Sequence, residues 1–446
     1  MAEIPARSYD DAPAIPSLRE VHRTVTVPAG ASFWRKLWAF SGPGFLVAVG
    51  YMDPGNWATD IAGGSRFAYQ LIFVLMMSNL MAVLLQTLAA RLGIVTQRDL
   101  AQACRDYYSR RTSFVLWVLC ELAIAACDLA EVIGSAIALN LLFGLPLIWG
   151  VCLTALDVLA ILYLQHRGFR IIEAIVMVLI GTIGTCYLAE IILVRPDFGA
   201  IASGFVPTPE LFTNPQMLYI AIGILGATVM PHNLYLHSSV VQTRAIERTR
   251  EGLKTAMRYN FIDSALALNF AFFINAAILI MAAATFFRHG MTEIAEIQDA
   301  YHTLSPLLGI PFASVLFAIA LLCSGQNSTL TGTLAGQIVM EGFLNIRLTP
   351  WLRRLITRLI AIIPAIIAVG FYGTRGTAKL LIFSQVILSL QLSFAVVPLV
   401  QFTSDRAKMG EFANPRWVKV LAWIVTAIIA GLNIYLLVQT VAGWLA

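Results

Sequence analysis

Charged residues are scarce in this chain. Only 12% of its 446 residues are Asp, Glu, Lys or Arg, whereas 59% are apolar. About a quarter of a soluble globular domain is charged and about half is apolar, so the composition excludes that class and predicts a multi-pass membrane protein. The net charge of +5 does not predict nucleic-acid binding, because the basic residues lie in short loops between apolar stretches. In such loops they indicate which side of the membrane the loop faces.

Cysteine is also rare, and the cysteines occur singly, mostly inside apolar stretches. Without a CxxC pair or a Cys/His cluster, they predict neither a disulfide framework nor a zinc site. They are Cys104, Cys120, Cys127, Cys152, Cys186 and Cys323.

The first 32 residues are polar and contain four prolines, which is unlike a cleavable signal peptide. We therefore expect residues 1–37 to form a cytoplasmic tail, with the first 32 residues mobile, and residues 38–446 to form the transmembrane domain.

Long apolar stretches divide the rest of the chain. A stretch of about 20 apolar residues is long enough to cross a bilayer as a helix. Eleven stretches meet this criterion, near residues 40–67, 69–94, 113–142, 147–165, 171–194, 216–242, 261–287, 312–343, 355–373, 379–402 and 417–441. The sequence thus predicts an all-α polytopic membrane protein with eleven spans.

The loops between these stretches alternate in charge. Basic groups follow every second stretch, at Arg98/Arg105/Arg110/Arg111, His166/Arg167/Arg170, Arg244/Arg248/Arg250/Lys254/Arg258, Arg347/Arg353/Arg354 and Arg406/Lys408/Arg416/Lys419. The loops after the fifth and seventh stretches are richer in acid, with Asp197, Glu210, Glu293, Glu296 and Asp299. The positive-inside rule then predicts a protein with its N-terminus in the cytoplasm and its C-terminus outside.

Two of the stretches, the first and the sixth, are interrupted near their centres. Residues 53–56 read Asp-Pro-Gly-Asn and residues 227–232 read Ala-Thr-Val-Met-Pro-His. Proline removes an amide donor and glycine loosens the helix, so nearby carbonyls must find partners in protein, water or an ion. Paired breaks of this kind are typical of a transporter binding site at the membrane midplane.

The positions of the breaks also suggest an internal repeat. The breaks lie in the first and sixth spans, so spans 1–5 and 6–10 could be two copies of a five-helix unit. An odd number of crossings gives the two copies opposite orientations. We predict a first repeat at about 38–195, a second at about 215–403, and an extra helix at about 416–442.

The residue types at the breaks indicate what would bind. Asp53 and Asn56 offer hard oxygen donors on an unwound turn, and the carbonyl of Ala227 is a third. Met230 adds a thioether sulfur, which favours a transition metal over Mg²⁺ or Ca²⁺. A methionine in a membrane helix ordinarily fills the core, but this one directly precedes Pro231 in a broken helix. The residues alone leave both interpretations of Met230 open.

The two broken segments carry a resemblance to a known family. Residues 50–56 and 226–238 resemble the paired signature of the Nramp family of proton-coupled divalent metal transporters, in its bacterial manganese-transporter branch. Shorter matches occur at 128–131, 332–337, 351–354 and 384–386. The resemblance runs from about residue 38 to the end of the chain.

This resemblance implies a LeuT-like fold and a metal held by Asp53, Asn56, Met230 and the Ala227 carbonyl. In some conformations a carbonyl at Gly50 and the side chain of Gln385 would join them, as the family pattern implies. The transported ion would be Mn²⁺, carried inward across the plasma (inner) membrane, with Fe²⁺, Co²⁺ and Cd²⁺ also accepted and a proton as co-substrate. The resemblance implies no permanent cofactor and no enzymatic activity, and we expect a monomer in membrane lipid.

Two positions depart from the family pattern. Gly50 stands where alanine is more usual, and Asp60 stands where asparagine is frequent. Asp60 lies four residues beyond Asn56 and so on the same helix face. We interpret it as a solvated surface carboxylate, with a contribution to the negative potential of an outer vestibule as the alternative.

Proton coupling needs titratable groups that can reach the site. Asp53 is one, because a bound dication favours its ionised form, and the resemblance assigns His232 as a second. Asp128 and Glu131 would form a stripe on the third span, with Arg353 or Arg354 as counter-ion. The alternative for this stripe is an ion-pair cluster that only holds helices together.

Two other functional classes fit parts of the sequence. An intramembrane metalloenzyme could use His232 and His237, but positions five apart project about 140° from each other on a helix and no catalytic glutamate accompanies them. A proton- or sodium-coupled amino-acid carrier of the same fold would receive a substrate carboxylate at a helix N-terminus, where Asp53 would repel it.

Overall fold

The computed structural model describes residues 16–28, 30–154, 156, 168–310, 312–345, 350–372 and 377–445. Nearly all of its secondary structure is helical. The first half of the chain forms α1 (Phe33–Phe40), α2 (Pro43–Gly50), α3 (Pro54–Phe67), α4 (Ile72–Thr96), α5 (Leu100–Tyr107), α6 (Arg110–Phe143), α7 (Leu147–Thr154), α8 (Phe169–Val194), α9 (Phe198–Ser203) and α10 (Glu210–Thr213). The second half forms α11 (Pro215–Thr228), α12 (Pro231–Val240), α13 (Arg250–Thr285), α14 (Ile297–Leu308), α15 (Ala313–Leu344), α16 (Pro350–Tyr372), α17 (Thr377–Ser404), α18 (Arg406–Met409) and α19 (Arg416–Leu445).

Short elements complete the fold. Single 3₁₀ turns lie at Arg19–Val21, Val241–Thr243, Phe287–His289 and Gly410–Phe412. Two strands of two residues each, β1 (Val25–Thr26) and β2 (Arg244–Ala245), pair in parallel, with Val25 opposite Arg244.

Eight segments of the described residues are long and apolar enough to cross a membrane. They are Ile72–Thr96, Arg110–Phe143, Phe169–Val194, Pro215–Thr243, Arg250–His289, Ala313–Leu344, Thr377–Ser404 and Arg416–Val438. These correspond to eight of the eleven predicted spans. The first predicted span is divided into α2 and α3, the fourth is described only through α7, and part of the ninth lies outside the described residues. The total of eleven therefore stays a prediction.

The distribution of polarity is that of a protein surrounded by lipid. Large apolar side chains are exposed around the outside, including Phe371 (84% exposed), Trp34 (75%) and Phe143 (72%). Carboxylates such as Asp53 and Glu131 are instead buried between the helices. This arrangement follows from the bilayer, which stabilises apolar surface on the outside and disfavours polar groups that lack internal partners.

The two breaks form because proline starts a new helix at each of them. In the first break α2 ends at Gly50, and Asp53 caps α3 by accepting a hydrogen bond from the Asn56 amide. Pro54 takes the first helical position, where its missing N–H would have had no partner. In the second break α11 ends at Thr228 and Pro231 begins α12 in the same way. Asn56 thus lies in the first turn of α3, rather than on an unwound turn as expected.

The N-terminal segment packs against the helical domain. Leu18 is buried in the main core, and the Ser17 hydroxyl donates to the Asp99 carboxylate over 2.5 Å at the start of α5. Burial raises the pKa of the Asp99 carboxyl to about 6, although the hydrogen bonds from Ser17 and the Gln102 amide favour its ionised form. Residues 16–28 are therefore anchored, in contrast to the mobile tail that we expected.

Candidate functional site

The two helix breaks meet at the side chain of Asn56. Its amide nitrogen lies 2.7 Å from Asp53 Oδ1, 3.1 Å from the Ala227 carbonyl and 3.3 Å from the Gly50 carbonyl. Three oxygen acceptors from two different interrupted helices thus converge on one small polar group. The C-terminal ends of α2 and α11 point their carbonyls here, and this end of a helix carries partial negative charge.

Asp53 supplies the formal negative charge at this point. Its Oδ1 also accepts a hydrogen bond from the Asn56 backbone amide at 2.7 Å. Its Oδ2 lies 3.4 Å from the side-chain amide nitrogen of Gln385 on α17. Gly55 makes this approach possible, because a Cβ atom at that position would collide with the Gln385 side chain. The two carboxylate oxygens therefore face different neighbours.

Side chains from neighbouring helices satisfy the carbonyls that the first break sets free. Asn275 on α13 donates to the Tyr51 carbonyl at 2.6 Å, and Ser324 on α15 donates to the Met52 carbonyl. Asn275 also lies 3.3 Å from Asn56 Oδ1, so it contacts both the backbone of the first break and the side chain of Asn56. Sequence reasoning missed Asn275 and Ser324, since each is a single polar residue within a long apolar helix.

Met230, at the second break, is fully buried. It packs with Ala126, Cys127 and Leu388. A Cβ atom at Gly50 would lie 3.1 Å from the Met230 sulfur and would collide with the amide of Asn233. Gly50 therefore allows the two breaks to approach, which gives a packing reason for its departure from alanine.

The structure brings all six predicted site residues together and buries them. Asp53, Ala227, Met230 and Gln385 are 0% exposed and Asn56 is 1% exposed, and Gly50 is also buried. The site residues are consequently shielded from solvent by the described part of the chain.

A row of acidic and sulfur groups extends from the site along α6. The Cys127 sulfur lies 4.0 Å from Asp53 Oδ2 and 3.6 Å from Glu131 Oε1. Asp128 and Glu131 are both buried, and both carboxylates converge on Gly332 of α15. Cys127 was not predicted as part of this row, because a lone cysteine in an apolar helix gives no sequence signal.

The predicted counter-ions Arg353 and Arg354 belong to helix α16. Their side chains lie outside the described residues, so their pairing with the two carboxylates stays a prediction.

The two predicted histidines have different surroundings. His232, two residues after Met230, is buried, and its Nδ1 has no hydrogen-bond partner among the described residues. His237 instead contacts Gln86 at 3.0 Å, and Gln86 donates to the Tyr51 hydroxyl at 2.9 Å. Within the described part of the chain, no group of three His, Cys, Asp or Glu side chains could hold a metal ion, as the metalloenzyme alternative would require.

The prediction that Asp60 is a solvated surface carboxylate is wrong. Asp60 is 0% exposed, and neither carboxylate oxygen has a hydrogen-bond partner among the described residues. The physical reason is that α3 is packed along its length. Gly64, four residues further along the helix, lies directly against the backbone of α13 at Leu279.

A buried ion pair lies beside the start of α2. Arg244 and Glu173 are both buried and lie 2.5 Å apart. Arg244 also donates to the Ser41 carbonyl at 2.6 Å, between α1 and α2, and Asp263 of α13 accepts from the Gly44 amide at 2.7 Å. We call these contacts the α2 clamp, because they fix the start of α2 to α8 and α13.

A helical membrane bundle with two facing broken helices and a buried polar site between them defines the LeuT-like class of membrane protein. Within that class, the chain belongs to the Nramp family. Its residues 44–439 match the family model described as natural resistance-associated macrophage protein-like.

Individual relatives agree with this assignment. The chain is 65% identical over 430 residues to a protein from Nostoc sp. named divalent metal cation transporter MntH, which covers 96% of this chain and 97% of the relative. A crystal structure of the Eremococcus coleocola manganese transporter superposes with a TM-score of 0.89 at 45% identity, covering 97% of this chain and 92% of that one. The transporter MhsT shares the fold alone, with a TM-score of 0.58 at 14% identity over 89% of this chain and 97% of that one.

The contacts of Asn275 generate a prediction about the first break. Asn275→Ala should remove the partner of the Tyr51 carbonyl and the support of Asn56, so we expect faster opening of the break. A hydrogen bond contributes about 1 kcal/mol, so deuterium uptake in peptides that cover residues 48–57 should accelerate by about five- to tenfold. The matched control is Asn269→Ala, an exposed asparagine on the same helix. Unchanged exchange in Asn275→Ala, or equal acceleration in both variants, would contradict the role of Asn275.

Proposed function

We propose that this protein imports divalent transition metals, with Mn²⁺ as the main substrate, together with protons across the plasma membrane. The observation that carries the proposal is the meeting of three oxygen atoms and the buried Met230 sulfur where two broken helices face each other. The names of the Nostoc sp. and Eremococcus coleocola relatives support it.

The donor set favours a particular group of cations. Oxygen donors from Asp53, Ala227 and Gly50 suit hard divalent ions, and the Met230 thioether adds a softer ligand. Mn²⁺, Fe²⁺, Co²⁺ and Cd²⁺ accept such mixed ligands, whereas Mg²⁺ dehydrates reluctantly and prefers oxygen. We therefore propose these four ions as substrates, with Gln385 as a further ligand.

Asn56 has a specific part in this proposal. Its amide nitrogen now faces Asp53, Gly50 and Ala227, which are the atoms that a cation would contact. Rotation of the amide by about half a turn would present its oxygen instead, since the two ends of the group have nearly the same shape. A donor amide would thus be exchanged for a bound cation without a large movement of the helices.

In an alternating-access cycle, the ion would be released on the side of the bundle where the α2 clamp lies. We propose that this side is the cytoplasm, with the C-terminus outside, as the loop charges predict. The repeats at about 38–195 and 215–403 would move against each other around the site, with the helix at about 416–442 as an addition. We propose that one chain suffices for transport and that residues 1–37 stay cytoplasmic.

Protons would take a route along α6. Asp53 could release a proton when the metal binds and accept one when the metal leaves. Cys127 lies between Asp53 and Glu131. Glu131 and Asp128 would pass the proton on towards Arg353 and Arg354, and His232 would serve as a second titratable group beside the metal. This route would separate the proton from the inward path of the metal.

The first prediction on function tests the site itself. Asp53→Ala removes the only formal charge among the proposed ligands, so Mn²⁺ uptake into proteoliposomes should fall to the level of protein-free liposomes, with the variant still folded. Asp299→Ala, which changes an exposed aspartate on α14, is the matched control. Uptake of a labelled amino-acid mixture is measured in parallel. Near-normal Mn²⁺ uptake by Asp53→Ala would refute the site, and amino-acid uptake without Mn²⁺ uptake by the unmodified protein would favour the amino-acid carrier.

Selectivity depends on the sulfur of Met230. Met230→Ala should weaken Cd²⁺ transport and admit Ca²⁺ or Mg²⁺ as competitors, because water would take the place of sulfur. The measurement is inhibition of Mn²⁺ uptake by each ion. Met217→Ala, which changes a buried methionine near the start of the same span, controls for lost core packing. Equal ion competition in the two variants would show that Met230 fills the core and selects nothing.

The proton route predicts an effect at Glu131. Glu131→Gln keeps the shape and hydrogen bonding of the side chain but cannot exchange a proton near neutral pH. We expect metal-driven proton entry, and the pH dependence of uptake, to fall more than metal binding does. A pH-sensitive dye and a metal-sensitive dye in the same liposomes give both signals, and Glu121→Gln on the same helix is the control. Equal losses in both signals, with the pH dependence retained, would favour a purely structural ion pair.

A further inference from the structure

An apolar groove of about 600 Å³ lies between α4, the start of α13 and the segment that leads into α19. Its walls include Leu80, Leu84, Leu88, Phe261 and Trp417. Leu80 is 55% exposed, Phe261 47% and Trp417 68%. These residues belong to three segments that are long and apolar enough to cross the membrane, so the groove opens toward lipid.

Two arginines border this groove from facing helices, Arg91 on α4 and Arg258 on α13. Arg91 is partly buried, and its guanidinium donates to the neutral side chain of Asn414 at 2.8 Å. No carboxylate of the described residues pairs with Arg91 or Arg258. The groove's own carboxylate, Glu411, is already paired with Arg250 at 2.7 Å. The mouth of the groove therefore carries positive charge that the described part of the chain does not neutralise.

We propose that this groove binds an anionic glycerophospholipid, with an acyl chain along the leucines of α4 and the phosphate between Arg91 and Arg258. A partly buried cation with only a neutral partner is stabilised by an anion, and a charge-assisted hydrogen bond to phosphate is stronger than one to an amide. Basic pockets between membrane helices on the cytoplasmic side are suited to anionic headgroups. Trp417 lies at the rim, where an aromatic ring fits the headgroup level of a bilayer.

The shape of the groove selects a lipid over a soluble anion. Inorganic phosphate could contact the arginines but would leave the leucine-lined wall uncovered. A zwitterionic lipid could cover the wall, but its choline group would oppose the arginines. Only a ligand with both an apolar chain and a net negative headgroup satisfies the whole groove. The proposal does not depend on the transported ion.

The test uses the full-length protein in detergent and native mass spectrometry. Phosphatidylglycerol and phosphatidylcholine with identical acyl chains are added in turn, and the bound fraction gives the affinity. Arg91→Gln combined with Arg258→Gln should weaken phosphatidylglycerol binding by about 30-fold, which equals about 1 kcal/mol for each arginine, and leave phosphatidylcholine unchanged. The matched control combines Arg110→Gln with Arg111→Gln, two exposed arginines at the start of α6 with the same change in net charge. An equal loss in the control would overturn the proposal, because it would show a general charge effect.

A second variant tests the groove while keeping both charges. Leu84→Trp should fill the space that the acyl chain would occupy. The preference for phosphatidylglycerol over phosphatidylcholine should then be abolished, with an unchanged melting temperature. Retained binding in Leu84→Trp, or displacement of the lipid from the unmodified protein by millimolar inorganic phosphate, would overturn the groove as the site. Arg258→Gln alone changes an exposed side chain, so it serves if the double variant fails to fold. It should weaken binding by about fivefold, and wild-type affinity there would count against the proposal.

Discussion

The two interrupted helices free backbone carbonyls inside a membrane bundle, and satisfying those carbonyls is the constraint on which the rest of the structure depends. An unpaired carbonyl in hydrocarbon is costly, so each of those described here has a protein partner. The Asn56 side chain donates hydrogen bonds to the carbonyls of Gly50 and Ala227. Asn275 and Ser324 donate to carbonyls in the turn between α2 and α3. The long helices α13 and α15 are thereby fixed against the first break.

The same constraint links fold to chemistry. A carbonyl that has left its helix is an oxygen donor, and it can accept either an amide or a cation. In this chain the amide of Asn56 fills the acceptor positions, and a proposed cation would compete for them. The glycines at 50 and 55 matter for the same reason, since their missing side chains let Met230, Asn233 and Gln385 come close. The same carbonyl oxygens would thus contribute both to the stability of the fold and to the binding of a cation.

Much of this could be predicted from the sequence, and the limits have physical causes. Composition and the helix breakers are local signals, so the membrane class and the breaks at Asp53 and Met230 were accessible. Gln385 and the carbonyl of Gly50 came from family resemblance. Asn275, Ser324 and Cys127 are defined by contacts between distant helices, which one sequence does not encode visibly. The error at Asp60 has the same origin, because its burial depends on how α3 packs against α13.

The short strand pair between the N-terminal segment and Arg244 has a mechanical consequence. The backbone of Arg244 pairs with Val25, while its side chain holds Glu173 and the carbonyl before α2. One residue thus joins three parts of the chain, which are the N-terminal strand, α8 and the segment before α2. A displacement of Arg244 would therefore disturb the N-terminal strand, the buried ion pair and the start of α2 at once.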